Sequence, residues 1–481
     1  MVKFLGKYQY VLLIYIFVSL LSHFYILTTP PCGTHVWRQS NTLSMARNFY
    51  EEGMNIFEPK IDRRNLTNGI TGSHFPLYEW LLALLSKVFG YSETLARFYS
   101  LLIFSFGMLA MRNLIVFFTK NNFLAFISGL LLLFTPLFYY DSANAMPDVL
   151  ALTLSLFGLY YYLKYFTKLG IQFLIYASLF SLLGGLIKFQ FLIIPASAIV
   201  YFQFNKKQII GLSVAVSFIS AVVFIWYKYA IDLMNKNDLK EFGLWIKPIS
   251  WKEKMDTMLQ NISIDLPEMI FGWALLLMSL LLVYKLRKEI RFNKPFYFVL
   301  FWSLAFVAFY FIGIERFKNH AYYFFAFGPV PVFIFVFLAH KAKLSHQHLI
   351  IALSFTVVWA VARIYPAKWA PQKRGVPVEF MNNEQRTALE NAIPKGEKCV
   401  IGSDISGCIY FYFTHTKGTS FEEADELYRP KNNMRYLDYL HKGGINYIIL
   451  HESERRFSEL KTDFKLTKIN KIGNFSVWLI N

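Results

Sequence analysis

Three stretches of this chain concentrate side chains able to do chemistry. The first reads THVWRQSNTLSMARNFYEEG, and it holds Trp37, Arg38, Gln39, Asn41, Arg47 and Asn48 close together, followed by Tyr50, Glu51 and Glu52. Guanidinium forks grip phosphate oxygens two at a time, so Arg38 and Arg47 are candidate anion holders. Trp37 and Tyr50 offer flat faces to a sugar. A hydroxyl nucleophile needs a carboxylate or an imidazole to take its proton. Candidates here are His35, Glu51, Glu52, Glu58, Asp62, Glu79 and His74, the last in SHFPLYEW. The plainer reading of this stretch is an interfacial helix with an aromatic belt and snorkelling arginines. A lone histidine is more often structural than catalytic.

The second stretch, YYDSANAMPDVLALTL, carries Asp141 and Asp148. Pro147 marks a helix start, and a carboxylate in a first turn accepts free N–H groups. Yet an aspartate beside hydrocarbon is costly without a partner or a task. The third group is cationic. Lys188 stands in GLIKFQF, where it is the only charged side chain between Lys168 and Lys206. The turn GIERFKNHAYYFF adds Glu315, Arg316, Lys318, His320, Tyr322 and Tyr323.

The elements that must position these residues are membrane helices. The chain has 481 residues, 55% hydrophobic and only 17% charged, against roughly 25% charge in soluble domains. Its apolar residues gather in blocks near the roughly 20 residues that cross about 30 Å of hydrocarbon. The blocks are Tyr10–Leu27, Ala96–Phe118, Phe123–Tyr140, Met146–Phe166, Ile171–Ile187, Phe189–Phe204, Ile209–Tyr229, Pro267–Tyr284, Pro295–Ile314, Ala321–Leu338 and His348–Ile364. They predict a polytopic α-helical protein with about eleven spans. The first block ends in Thr-Thr-Pro-Pro without a small-x-small site, so it reads as a span rather than a cleaved leader.

The net charge of +18 follows from topology. Counted from a cytoplasmic N-terminus, the inside turns hold Lys3 and Lys7; Lys120; Lys164 and Lys168; Lys206 and Lys207; Lys285, Arg287, Lys288, Arg291 and Lys294; and Lys341 and Lys343. Every short inside turn is then basic, as the positive-inside rule requires. A nucleic-acid partner would need a basic soluble face instead, so none is expected. An odd number of spans places the C-terminus outside, with Pro30–Glu93 and Asp232–Leu266 as the long outside loops. Arg38, Lys188, Arg316, Lys318 and His320 then lie on the side where topology does not call for cations, which points to an anionic ligand.

The chain divides into a membrane body, 1–365, with its first outside loop at 29–93, and an extracytoplasmic α/β unit, 366–481. In the latter the pattern predicts helices at Asn383–Ala392 and Met434–Lys442. It predicts strands at Cys399–Gly402, Asn446–Leu450 and Phe475–Ile480, with Ile409–Phe413 as strand or helix. Pro76–Phe89 reads as an interfacial helix. Cys32, Cys399 and Cys408 would all face outside; Cys399 and Cys408 are either bridged or free, which spacing cannot decide. Cysteine and histidine form no zinc-ligand spacing.

In HVWRQSNTLSMARNFY, FPLYEWLLALL and the AMPD, LIK and HAYYF turns, in that order and on one side, the chain resembles the GT-C superfamily of membrane glycosyltransferases. It resembles most the branch of dolichyl-phosphate-mannose-protein mannosyltransferases and lipid A aminoarabinose transferases. The resemblance implies transfer of a sugar from an undecaprenyl- or dolichyl-phosphate donor to a hydroxyl or phosphate of a glycan, lipid or protein, with inversion, at the outer face of a bacterial inner membrane. It matches Asp148 to the second-loop acid, and Lys188, Arg316 and His320 to a phosphate clamp. Trp37, Arg38, Gln39, Asn41, Arg47, Asp141 and Tyr322 complete the substrate-binding candidates; Asp148, His35, His74 and Glu51 are the catalytic ones. One departure matters: HVWRQSNT lacks the family's usual acid, with Asn41 where related sequences often have Asp and His74 where they often have Glu. A divalent metal is left open, with no ligand set assigned. Alternatives to the enzyme are a lipid-linked saccharide flippase, disfavoured by the lack of internal repeats, and a catalytically inactive membrane sensor.

Overall fold

The computed structural model describes residues 2–65, 67–237, 248–289, 293–318, 320–402, 404, 406–421, 440–454 and 465–481, with side chains from residue 9 onward. All eleven apolar blocks are helical in it. Among the described residues seven helices, rather than about eleven, are long and apolar enough to cross a membrane. A further pair, Trp251–Ile270 and Trp273–Leu286, passes the same test only if taken together; it is bent by 95° where Gly272 takes a φ of +68°. Asn122–Leu133, Ile171–Ile187 and Phe189–Tyr201 are apolar but shorter than a span. The chain is an integral membrane protein. Arg291 and most of the expected helix Met434–Lys442 lie outside the described residues.

The chain folds as two compact units. Unit 1 comprises Met1–Leu27, Ala96–Lys228 and Trp245–Ala370. We name its early helices in chain order together with two that open unit 2: α1 (Val2–His23), α2 (Val36–Glu52), α3 (Leu77–Phe89), α4 (Glu93–Thr119), α5 (Asn122–Leu133), α6 (Pro136–Asp141), α7 (Pro147–Lys168) and α8 (Ile171–Ile187). Side-chain caps set several starts. Asn121 Oδ1 accepts from Leu124 N at 2.9 Å, and Asn293 Oδ1 from Phe296 N at 3.1 Å, each satisfying an orphan donor of a first turn. Pro136 and Pro147 open α6 and α7, where a missing N–H costs nothing. That is why Phe123–Tyr140, one block in sequence, is broken after Leu133. The segment Asp232–Leu266, expected as an outside loop, is largely helical where it is described: Lys206–Lys236 runs into it, and Trp251–Gln260 starts from a capping box of Ser250 and Glu253.

Unit 2 comprises Thr28–Leu95, Tyr229–Leu244 and Pro371–Asn481. The first outside loop and the C-terminal region therefore share one compact unit. Its five-stranded sheet runs β2-β1-β3-β5-β4, with β1 Lys398–Ile401, β2 Lys417–Ser420, β3 Ile445–His451, β4 Leu466–Ile472 and β5 Phe475–Ile480. β2, β1 and β3 are parallel; β5 is antiparallel to β3 and forms a hairpin with β4. Ile409–Thr414 resolves as a helix. The first loop joins the sheet edge: Arg64 N and Asn65 N donate to Gly418 O at 2.7 and 3.0 Å, and Gly418 N donates to Asp62 O at 3.2 Å. Residue 418 must be glycine, since its φ is +155° and any Cβ would strike the Cys399 carbonyl of β1. Cys32, Cys399 and Cys408 are buried and none is in a disulfide.

Candidate functional site

In unit 1 the site begins with a helical hairpin. α7 and α8 are joined through Leu169, in the left-handed region at φ +55°, and Gly170. Small residues let the two helices approach closely. A Cβ on Gly158 would lie 2.6 Å from Ser181 Oγ, and one on Gly184 would collide with Ser155 Oγ. The hairpin sets the start of α7 against the end of α8. Asp148, in the first turn of α7, thus meets Lys188, where the chain leaves α8 in extended conformation. Lys188 Nζ donates to Asp148 Oδ1 at 2.6 Å. The aspartate side chain is fully buried and that of Lys188 is 15% exposed. Asp148 Oδ2 is buried with no hydrogen-bond partner among the described residues.

Aromatic and polar groups surround the lysine. Its Nζ stands 4.6 Å from the Tyr322 ring centroid and 4.9 Å from that of Tyr323, a cation–π arrangement. His320 packs on Tyr322 at 5.4 Å, and its Nδ1 donates to Lys318 O at 2.7 Å. Burial pushes the imidazole of His320 below its ordinary pKa, the His320–Lys318 bond opposes this, and the charge on Lys188 adds to it. The segment after Lys188 is fixed from two sides: Phe189 N donates to Tyr227 Oη at 3.3 Å, and Gln190 Nε2 to Tyr323 O at 3.3 Å. The Arg316 guanidinium lies 5.9 Å from the Phe189 ring. Lys318 turns to Glu253 at 2.7 Å, both partly exposed.

Asp141 ends α6 and is buried. Burial, reinforced by the negative charge of Asp148, raises its carboxyl to about 8, against the opposing pull of Lys368 and Lys188. The turn between Asp141 and Asp148 is held by Arg97, whose Nη1 donates to Ala143 O at 3.0 Å and to Asn144 Oδ1 at 2.8 Å. Arg97, Gln190, Tyr227 and Lys368 were not among the sequence candidates. Arg97 carried a readable signal, a charge at the edge of an apolar block; the other three carried none.

Unit 2 holds the remaining candidates. α2 is buried along most of its length rather than lying amphipathic at an interface, and several of its polar side chains bond to groups outside the helix. Arg47 Nη2 pairs with Asp62 Oδ2 at 2.8 Å, Asn48 Nδ2 donates to Asp62 Oδ1 at 3.0 Å, and Arg47 Nη1 donates to Tyr412 O at 3.0 Å. Arg47 is thus engaged inside the fold. Glu51 pairs with His415 at 2.9 Å; burial works against its ionisation, but the bond from His415 and the cations around it hold its carboxyl below the usual range. Gln39 Nε2 donates to Cys32 O at 3.0 Å, Asn41 is buried, Trp37 is half-buried, and His35 is the left-handed residue preceding α2.

The arrangement around His74 is a hydrogen-bonded chain. Glu79 Oε1 lies 2.8 Å from His74 Nε2; His74 Nδ1 lies 3.0 Å from Ser73 Oγ and 3.3 Å from Arg38 Nη2. A guanidinium only donates, so Nδ1 accepts and Nε2 carries the proton toward Glu79. The neutral imidazole then separates one cation from one carboxylate. Glu79 is fully buried and its Oε2 has no hydrogen-bond partner among the described residues.

Residues 73–227 match the family model of dolichyl-phosphate-mannose-protein mannosyltransferase. The structure aligns with the crystal structure of apo ArnT from Cupriavidus metallidurans at a TM-score of 0.67 and 10% identity, covering 97% of both chains. The chain has the GT-C fold. ArnT bound to undecaprenyl phosphate matches at 0.63 and 9% identity, again over 97% of both chains. The Archaeoglobus fulgidus oligosaccharyltransferase in complex with Zn and sulfate matches at 0.52 and 14% identity, over 92% of this chain and 68% of that one. No curated protein sequence matches the chain. Within this GT-C fold, the described residues contain no group of three or more His, Cys, Asp or Glu side chains placed to hold a metal ion.

Proposed function

We propose that the protein is a glycosyltransferase that moves a sugar from a polyprenyl-phosphate donor to an acceptor hydroxyl or phosphate at the extracytoplasmic face of the membrane. The observation that carries this reading is Lys188, held between the buried Asp148 and the rings of Tyr322 and Tyr323 at the end of the α7–α8 hairpin, in a fold shared with a protein crystallised with undecaprenyl phosphate. A cation at the end of a membrane helix, capped by aromatic faces, suits a lipid phosphate better than a soluble anion.

The reaction on this reading is one displacement. The acceptor oxygen attacks the anomeric carbon, the bond from that carbon to the phosphate oxygen breaks with its electron pair going to phosphate, and the hydroxyl proton passes to Asp148. Charge grows on the departing phosphate, so Lys188, with Arg316 and His320, stabilises the transition state more than the ground state. The test is incubation of the purified protein with a panel of polyprenyl-phosphate sugars plus candidate glycan, lipid and protein acceptors, followed by mass spectrometry of the lipid. Consumption of one sugar lipid, with release of the free lipid phosphate and loss of both on Lys188→Ala, supports the reading. No turnover of any member contradicts it and favours a flippase or a sensor.

A further inference from the structure

A feature of the hairpin site is not explained by phosphate binding alone. Its lysine is not waiting for a ligand; it is already neutralised. Lys188 Nζ sits 2.6 Å from Asp148 Oδ1, and the aspartate is fully buried. Asp148 is thereby held by the same group that a phosphate needs. We propose that a lipid phosphate and Asp148 compete for Lys188, so that donor binding exchanges one ion pair for another and releases the Asp148 carboxylate. The proposal rests on reading the hairpin as a lipid-phosphate site, and it adds an order of events: donor first, acceptor second.

Three observations support an exchangeable pair. The Asp148–Lys188 pair is unequal in its surroundings, with Asp148 sealed and Lys188 partly exposed, so the lysine is the partner that an incoming anion reaches. The lysine stands on a flexible four-carbon stem at an extended residue just past α8, where its ammonium can swing without moving a helix. The rings of Tyr322 and Tyr323 lie within 5 Å of Nζ and give it a favourable face along the way. The aspartate cannot follow, because Pro147 and the first turn of α7 fix it. Its second oxygen, Oδ2, already lacks a partner among the described residues, so the carboxylate is poised to accept a hydrogen bond or a proton from an acceptor hydroxyl once Lys188 has turned away. Before donor binds, the pair keeps the acid occupied. This ordering protects the sugar lipid, since no acceptor is activated at an empty phosphate site.

The decisive experiment is binding of undecaprenyl phosphate to the detergent-solubilised full chain, comparing wild type with Asp148→Asn and Lys188→Ala. Exchange predicts opposite signs. Lys188→Ala weakens binding by about tenfold or more, as loss of a charge-assisted bond requires. Asp148→Asn tightens binding by about tenfold, because Lys188 no longer has to leave a carboxylate, while sugar transfer is lost. Asp148→Ser replaces the amide variant if the latter does not fold, with the same expected sign. Unchanged or weaker binding in the Asp148 variants, with wild type binding in a Lys188-dependent way, overturns the exchange and leaves the lipid-phosphate site standing. Failure of wild type to bind overturns both.

Discussion

Replacing Lys188 with methionine keeps the aliphatic stem and deletes the charge. The structure sets the size of the effect. Asp148 Oδ1 would lose its 2.6 Å bond and Oδ2 has no hydrogen-bond partner among the described residues, so a fully buried carboxylate would stand without its cation. Breaking a buried pair from one side costs about 3–5 kcal/mol. Lys188 is 15% exposed, so water partly replaces it, and the lower end, about 3 kcal/mol, is expected. Asp148→Asn strands a lysine that still reaches solvent and two aromatic rings, which should cost about half as much. The double variant Lys188→Met/Asp148→Asn removes both charges and should lie within about 1–2 kcal/mol of wild type, because neutral replacements of buried pairs are often tolerated. All three native cysteines are buried and outside disulfides, so thermal unfolding in detergent can be followed by a thiol-reactive fluorophore. The double variant should melt above Lys188→Met. If it melts lowest, with the single effects simply adding, the two residues are not coupled and the electrostatic account of the site is wrong.

Other predictions address the base, the proton and the topology. Asp148→Asn should lower kcat by about 10²–10⁴-fold; an unchanged kcat in steady-state kinetics removes Asp148 as the proton acceptor. Asp141 is raised from its ordinary 3.8 to about 8, so its neutral form favours the fold: that contribution is complete below 3.8 and is lost as pH rises through about 8. The melting midpoint should therefore fall as pH rises from about 4 to about 8 and level off above, and Asp141→Asn should flatten the decline; an unchanged slope refutes the assignment. Cys399 is too buried to report sidedness, whereas Lys468 on edge strand β4 is exposed. A membrane-impermeant maleimide added to intact cells or spheroplasts should label Lys468→Cys, and labelling only after lysis would reverse the proposed orientation.

The helical blocks were legible in the sequence because apolar runs bounded by Pro, Gly and Lys leave the backbone few options in hydrocarbon. Their lengths were less legible: Thr135-Pro136 splits one block, and Gly272 bends another. Strands β1, β3 and β5 announced themselves through Val and Ile. β2 did not, since Lys-Gly-Thr-Ser has no strand signature and is held by its neighbours, and β4 is an exposed edge dotted with lysines. At the site, Asp148, Lys188, His320 and Tyr322 stood out by chemistry, but the pairing of Asp148 with Lys188 is a property of how α7 packs on α8. Arg47 illustrates the limit: it has the right side chain for an anion, and its carboxylate partner, Asp62, is invisible to helical spacing because the two meet across a loop.

The central claim is that a lipid phosphate sits at Lys188. Photo-crosslinking with a polyprenyl phosphate carrying a diazirine beside the phosphate, followed by peptide mapping of the full-length protein, tests it most directly. Adducts should fall on the peptides around Lys188 and around Tyr322 and Tyr323, and unlabelled undecaprenyl phosphate should compete them away. Competable adducts confined to other segments of the chain would contradict the account.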